Sequence, residues 1–248
     1  MPVIAIFSHV PPSSLFHQLT TKVVKDALIV SGKTIVVAQI VTLLVGTPTA
    51  YFFASRRFPG RAILVTLVEL PIVLPPAVAG LGLIVAFDRF GLIGRHWPWL
   101  ASHVAFNQTA VVFAILLVSA PFYVRQGIAA FEAVDPSLVS ASRTLGAGPV
   151  KTFFRVTLPL ARSGLAAGLA LSLARGLGEF GATIMFAGNL QGKTQTLPLA
   201  VYTQFESNLD AALAMSALLV VISFAILFSL KASGLWLRTR PVVVAGRG

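Results

Sequence analysis

Residues Gly146 to Pro159 read Gly-Ala-Gly-Pro-Val-Lys-Thr-Phe-Phe-Arg-Val-Thr-Leu-Pro. This stretch is basic and amphipathic, and it lies between long apolar segments. Gly146 suits the left-handed conformation that ends a helix, Gly148-Pro149 suits a new helix start, and Pro159 opposes continuation of that second helix. The stretch therefore predicts a short helix set off by a turn, and we call residues 146–159 the elbow.

A first short helix is predicted just before the elbow. Asp135-Pro136 is a favourable helix start, since Asp can cap and Pro suits the first turn. The helix would span residues 136–145, with Arg143 near its negative end.

The second helix is expected to expose an apolar knob ringed by positive charge. Its apolar members are Phe153, Phe154 and Val156, and its basic members are Lys151 and Arg155. Such a knob suits a groove on a partner protein. The alternative is a loop that folds back on a membrane surface.

Composition indicates a membrane protein. Of 248 residues, 56% are apolar and 11% are charged, which is too little charge for a soluble surface. Lys and Arg number 19 against 8 acids, but they lie in short loops between apolar runs, so we do not expect nucleic acid as a partner. The absence of cysteine excludes disulfide and thiolate sites.

The apolar runs predict an all-α polytopic membrane domain over residues 1–248. A spanning helix needs about 20 apolar residues. The predicted spans are 28–54, 62–87, 106–124, 163–187 and 211–231, with a coupling loop at 125–162. Basic residues concentrate in 56–61, 125–162 and 231–247. By the positive-inside rule these segments are cytoplasmic, which places the N-terminus outside and the C-terminus inside.

Three charges fall within the predicted spans, at Glu69, Arg175 and Glu179. Such residues usually face a bundle interior or water, because a charge at the bilayer centre costs about 2.5–3.5 kcal/mol on insertion scales. Arg175 and Glu179 are four residues apart and can meet on one helix face. They form either a structural ion pair or part of a pathway or gate.

Prolines interrupt the second predicted span. Pro75 and Pro76 remove helix hydrogen bonds, and the freed carbonyls must be satisfied by protein or water. We expect this segment to lie inside the bundle beside the pathway. The alternative is a kinked peripheral helix.

The elbow resembles the loop of permease subunits in ATP-binding-cassette importers. Their pattern is Glu-Ala-Ala, three residues, Gly, nine residues, Ile, one residue and Leu-Pro. Here Gly146 precedes Val156 and Leu158-Pro159 at that spacing, while Ser140-Ala141-Ser142 replaces Glu-Ala-Ala and lacks its carboxylate. The resemblance implies a type I importer transmembrane domain. Phe153, Phe154, Leu158 and the neighbouring bases would transmit force from an ATPase, and Gly146 would fix the turn.

Residues 28–231 further resemble molybdate permeases. The segments that match are 70–76, 143–148 and 178–183, which includes Thr183, together with 186–189 and 194–198. Sulfate permeases are related but fit the last two less well. The resemblance implies a molybdate importer, with tungstate or sulfate and thiosulfate as alternatives. It also implies a homodimer in membrane lipid, two cytoplasmic ATP-binding subunits and an extracytoplasmic oxyanion-binding protein.

Other classes remain open. Gly188 to Thr194 has three residues between its glycines where a phosphate-binding loop needs four, so we expect no ATP hydrolysis by this chain. His96 and His103 lack metal-ligand spacing, and no cofactor is expected. A channel or secondary transporter would need no cytoplasmic partner. An intramembrane enzyme would have only Glu69 with Glu179 as a carboxylate pair.

Overall fold

The computed structural model describes residues 2–9, 20–104 and 106–232, and all regular structure within these ranges is helical. The first helices are α1 Pro2–His9, α2 Lys22–Ser55, α3 Arg61–Val73, α4 Pro76–Phe87, α5 Pro98–Val104 and α6 Gln108–Glu132. The remaining helices are α7 Pro136–Thr144, α8 Pro149–Leu177, α9 Gly181–Ala187, α10 Leu197–Ser207 and α11 Leu209–Ala232. The basic residues Arg238, Arg240 and Arg247 lie outside the described ranges.

Three long helices, α2, α6 and α8, form the centre of the bundle, with α6 between the other two. Glycines allow their close approach: a Cβ atom at Gly127 would lie 2.8 Å from the Cβ of Ala50, and one at Gly164 would lie 2.5 Å from that of Ala130. Small residues at helix interfaces are typical of membrane bundles, in which close packing drives association. Gly164 therefore serves packing within the chain.

The outer surface of the bundle is apolar. Leu44, Val45 and Phe224 are 70%, 62% and 68% exposed, respectively. Among the described residues, four helices are long and apolar enough to cross a membrane, and the bent pair α3–α4 makes five if it counts as one span. An apolar exterior over such helices suits contact with lipid, and the prediction of about five spans in an all-α domain is confirmed.

Two of the predicted spans are broken. The predicted span 62–87 is interrupted at its prolines as expected, because α3 and α4 meet at 115° around Leu74 and Pro75. Consecutive prolines at 75 and 76 supply no backbone N–H, and Leu74 and Pro75 have extended ψ angles of 134° and 130°. The predicted span 163–187 is likewise interrupted between α8 and α9, at residues 178–180.

Contacts identify which loops share an end of the bundle. Arg61 at the start of α3 forms an ion pair with Glu132 at the end of α6, and its Nε donates to the carbonyl of Phe53 near the end of α2. At the start of α2, Asp26 accepts a hydrogen bond from Gln191. Because α2 is about 50 Å long at 1.5 Å per residue, the Arg61 contacts and the Asp26–Gln191 contact lie at opposite ends of the bundle. Residues 56–61 and the elbow share the first end.

Candidate coupling elbow and intramembrane ion pair

Helix α7 begins as predicted, and the turn from α7 into the elbow also forms as predicted. Asp135 accepts a hydrogen bond from the Ser137 N–H at 2.8 Å, and this bond lowers the pKa of the Asp135 carboxyl. Helix α7 ends at Thr144, and Gly146 has a φ of 82°. The N–H groups of Gly146 and Ala147 donate to the last turn of α7. This is the glycine-ended helix that the sequence indicated.

The prediction that Pro159 ends the second helix is wrong. Helix α8 runs without interruption from Pro149 to Leu177 and includes a π-helical turn at Phe153–Thr157. Within that turn the N–H of Leu158 donates to the carbonyl of Phe153, five residues earlier. The wider turn precedes Pro159 and accommodates a residue that has no N–H to donate. The elbow is therefore continuous with a long helix of the bundle.

The apolar residues of the elbow divide between two faces. The ring of Phe153 contacts the rings of Tyr51 and Phe131, with centroids 4.7 Å and 6.1 Å away. Leu158 packs against the same cluster. Phe153 is therefore only partly exposed, because its ring packs against residues of α2 and α6, whereas Phe154 is 60% exposed.

A groove of about 620 Å³ runs between α7 and the start of α8. The lining residues are Leu138, Ala141, Ser142, Leu145, Ala147, Lys151, Arg155, Val156, Pro159 and Leu160. Leu145 in its lining is 88% exposed, and Val150, next to the lining residue Lys151 in sequence, is 70% exposed. An apolar groove with two cationic side chains suits a protein partner with complementary charge.

Ser142 takes part in the contact between the two short helices. Its hydroxyl lies 3.2 Å from that of Thr152, and Thr152 is 2% exposed and also donates to the Ala147 carbonyl. Ser142 is the third residue of the Ser-Ala-Ser segment that stands in place of Glu-Ala-Ala. Thr152 was not among the predicted site residues, since a single Thr in a basic stretch has no distinguishing pattern.

Arg175 and Glu179 meet, as their spacing predicted. Arg175 Nη1 lies 2.7 Å from Glu179 Oε2, and the Glu179 side chain is 1% exposed. The other oxygen, Oε1, accepts a hydrogen bond from the Ala182 N–H at 2.8 Å. Glu179 thus joins the end of α8 to the first turn of α9, where a negative charge is stabilised by the helix dipole.

The break between α8 and α9 lies against the proline break. A Cβ atom at Gly181 would lie 2.9 Å from the Cβ of Pro76, the first residue of α4, and Pro75 immediately precedes that helix. Thr183 in α9 is fully buried, and its hydroxyl has no partner among the described residues. The structure therefore brings together the predicted pathway residues Pro75, Pro76, Glu179 and the helix that holds Thr183.

Glu69 lies apart from this cluster. Its carboxylate is 3.7 Å from Arg125 Nε, and the two side chains are 31% and 68% exposed. Each predicted intramembrane carboxylate thus has its own arginine. The sequence reading placed Arg125 in a loop, but α6 extends eight residues beyond the predicted end of that span, to Glu132. Hydropathy alone does not place Arg125 within the helix, because its charged side chain ends the apolar run.

Comparison with known proteins agrees with this architecture. Residues 46–240 match the model of the family described as "Binding-protein-dependent transport system inner membrane component". The chain is 43% identical over 227 residues to the molybdenum transport system permease protein ModB of Mycobacterium tuberculosis, covering 90% of this chain and 84% of that protein. It is 42% identical over 183 residues to ModB of Escherichia coli K12, covering 73% and 80%. A sulfate transport system permease protein CysW of Synechocystis is 37% identical, covering 71% and 66%.

Solved structures share the fold. A bacterial importer of the acidic polysaccharide alginate superposes with a TM-score of 0.73 at 16% identity, over 96% of this chain and 90% of that one. The MetNI methionine transporter in an inward-facing conformation gives a TM-score of 0.65 at 20% identity, over 86% and 95%. With its broken spans, exposed elbow and family match over most of its length, this chain belongs to the inner membrane components of binding-protein-dependent transport systems.

Proposed function

We propose that this chain is the membrane-spanning permease subunit of an ATP-driven molybdate importer. The observation that supports the coupling role most directly is the elbow, which is exposed on one face and packed into the bundle on the other. The substrate class rests on the relatives named for molybdenum transport, which align over 73–90% of the chain. Tungstate and sulfate remain alternatives, since a sulfate permease protein aligns over 71% of it.

The proposed assembly is a homodimer with two cytoplasmic ATP-binding subunits and an extracytoplasmic oxyanion-binding protein. One chain of about five spans encloses a pathway poorly, which favours two copies. A structure of the similar alginate transporter contains a substrate-bound periplasmic protein, which supports a partner of that kind. The basic segments at the elbow end would face the cytoplasm, with the N-terminus outside and the C-terminus inside.

The elbow would transmit movement through two routes. Phe153 contacts Tyr51 of α2 and Phe131 of α6, so a shift of the elbow displaces both helices. Helix α8 also continues from the elbow to Arg175, at the break where Glu179 caps α9. Packed interfaces of this kind shift between discrete arrangements, because they deform poorly. Closure of the ATPases would thereby move the α4–α9 contact and open the pathway alternately to each side.

The membrane-embedded charges would leave the passage nearly neutral. Arg175 offsets Glu179, and Arg125 offsets Glu69. A dianion would meet little net repulsion and would also find no concentrated positive site. Selectivity would then reside mainly in the delivery protein, and the purified subunit alone would bind oxyanions weakly.

Vesicle uptake tests this function. The chain would be reconstituted with its ATPase and delivery protein, and radiolabelled molybdate uptake measured with competing tungstate, sulfate and thiosulfate. We expect uptake that requires ATP and the delivery protein, with sulfate competing weakly. Uptake without nucleotide would favour a channel or secondary transporter, and stronger competition by sulfate would reassign the substrate.

A further inference from the structure

A large cavity lies at the end of the bundle opposite the elbow. It measures about 930 Å³ and opens between the ends of α4 and α9, the segment after α4, and α5. Ile84, Phe87, Phe106 and Phe186 form apolar walls, and Arg89 and Arg95 both line it. Neither the coupling role nor the ion pair at Glu179 involves these residues.

The segment that holds both arginines is tightly folded. The N–H groups of Ile93 and Gly94 donate to the Ala86 carbonyl, and that of Arg95 donates to Gly91. A Cβ atom at Gly91 would lie 2.0 Å from the Val85 carbonyl oxygen, and one at Gly94 would lie 2.0 Å from that of Asp88. Only glycine fits at such approaches, so the positions of the two arginines are set by the backbone.

The two guanidinium groups have donor capacity to spare. Within residues 20–104 and 106–232, neither arginine forms an ion pair. One carboxylate, Asp88, also lines the cavity, and its Oδ2 accepts from the Phe90 N–H at 3.2 Å, so the two arginines leave the lining with a net positive charge. Arg89 lies 5.8 Å from the Phe90 ring centroid. Arginine presents N–H donors in a planar fork that matches phosphate oxygens.

The surroundings indicate the level of a membrane surface. Trp97 and Trp99 flank Pro98, which lines the cavity, and they are 63% and 71% exposed. Tryptophan is enriched where hydrocarbon meets headgroups, because its ring is apolar and its N–H is polar. A cavity at this level is open to lipid.

We propose that this cavity binds an anionic phospholipid, with the phosphate at Arg89 and Arg95 and part of an acyl chain against the phenylalanine walls. A free oxyanion would use the arginines but could not use the apolar walls, and it would fill little of 930 Å³. An amphiphile uses both. The proposal stands independently of the transported substrate.

Tryptophan quenching by brominated lipid tests the site. The chain has three tryptophans, so the full-length protein with Trp236→Phe reports from Trp97 and Trp99. Delipidated protein in neutral detergent would be titrated with phosphatidylglycerol or phosphatidylcholine that carry identical dibrominated chains. We expect half-maximal quenching at a roughly ten-fold lower concentration of phosphatidylglycerol, since two cationic side chains favour its net charge.

Three variants complete the test. Arg89→Gln with Arg95→Gln should equalise the two lipids, whereas Arg57→Gln, an exposed arginine at the elbow end, should retain the preference. Ile84→Phe narrows the cavity and keeps both arginines. It should therefore weaken the binding of both lipids and retain the preference for phosphatidylglycerol. This variant tests the site even if the double arginine variant does not fold. Equal quenching by the two lipids in the protein that keeps Arg89 and Arg95 would overturn the proposal. Loss of the phosphatidylglycerol preference in Arg57→Gln, or unchanged lipid binding in Ile84→Phe, would also overturn it. So would displacement of phosphatidylglycerol by millimolar molybdate.

Discussion

Gly80 of α4 lies directly against the backbone of Ala182 in α9. A Cβ atom at position 80 would come within 2.8 Å of the Ala182 carbonyl oxygen and 2.9 Å of its Cα. This contact joins the two broken spans at the place where the predicted pathway residues converge. It cannot widen without moving one of the two short helices.

Gly80→Ala should therefore destabilise the protein. Overpacking of a close helix contact costs about 1–3 kcal/mol, and we expect a lower thermal unfolding midpoint in detergent. The matched control is Gly82→Ala on the same helix, where an added Cβ meets no atom within 4 Å. An equal decrease for both variants would show that the loss comes from something other than the α4–α9 contact.

Glu179→Gln should be among the most damaging conservative substitutions in the chain. It leaves the charge of Arg175, whose side chain is 28% exposed, without its partner. Breaking a fully buried pair costs more, and with Arg175 in part hydrated we expect a loss of about 1–3 kcal/mol. Differential scanning fluorimetry would measure the loss. Adding Arg175→Gln should restore much of the stability, because no unpaired charge then remains.

The control for that pair is Glu132→Gln at an exposed ion pair with Arg61, whose side chains are 49% and 31% exposed. Exposed pairs contribute about 0–1 kcal/mol. If Glu132→Gln were as destabilising as Glu179→Gln, burial would not explain the role of Glu179.

Phe153 and Phe154 should have separable functions. Phe153→Ala removes a ring packed between Tyr51 and Phe131, so we expect a lower unfolding midpoint. Phe154→Ala removes a largely exposed ring and should leave the midpoint unchanged while it reduces ATPase stimulation by the delivery protein. Stimulation at the normal level in Phe154→Ala would exclude this ring from the partner contact.

Much of this fold is readable from the sequence because hydropathy and turn chemistry are local. Asp135-Pro136 and Gly146 indicate a helix start and end by their own conformational preferences, and both appear as expected. The spacing of Arg175 and Glu179 predicts their pairing for the same reason.

Features that depend on distant packing could not be predicted in this way. Pro159 usually opposes a helix, but the π-helical turn before it lets α8 continue. Phe153 and Phe154 are identical in sequence terms, and only the position of Tyr51 and Phe131 makes one of them packed and the other exposed. The pairing of Arg125 with Glu69 depends on how α6 packs against another helix, and the sequence does not show that packing.

Gly146→Val should abolish ATP-driven uptake and leave membrane insertion intact. A β-branched residue at a φ of 82° is strained by about 1–2 kcal/mol or more, so the turn that orients the elbow would be lost. Gly148→Ala is the control, because Gly148 has a φ of −64° and open space around it. Normal uptake by Gly146→Val would count heavily against a coupling role for this turn.

A coupling role requires that the elbow meets an ATPase at the cytoplasmic face, and cysteine labelling measures this contact. The chain has no cysteine, so Val150→Cys and Lys193→Cys each introduce a single thiol, one at each end of the bundle. With a membrane-impermeant maleimide, we expect Val150→Cys to be labelled in inside-out vesicles and protected when the ATPase is bound, and Lys193→Cys to be labelled only in right-side-out vesicles. Labelling of Val150→Cys from the outer side, or labelling unaffected by the ATPase, would contradict a contact between the elbow and an ATPase at the cytoplasmic face.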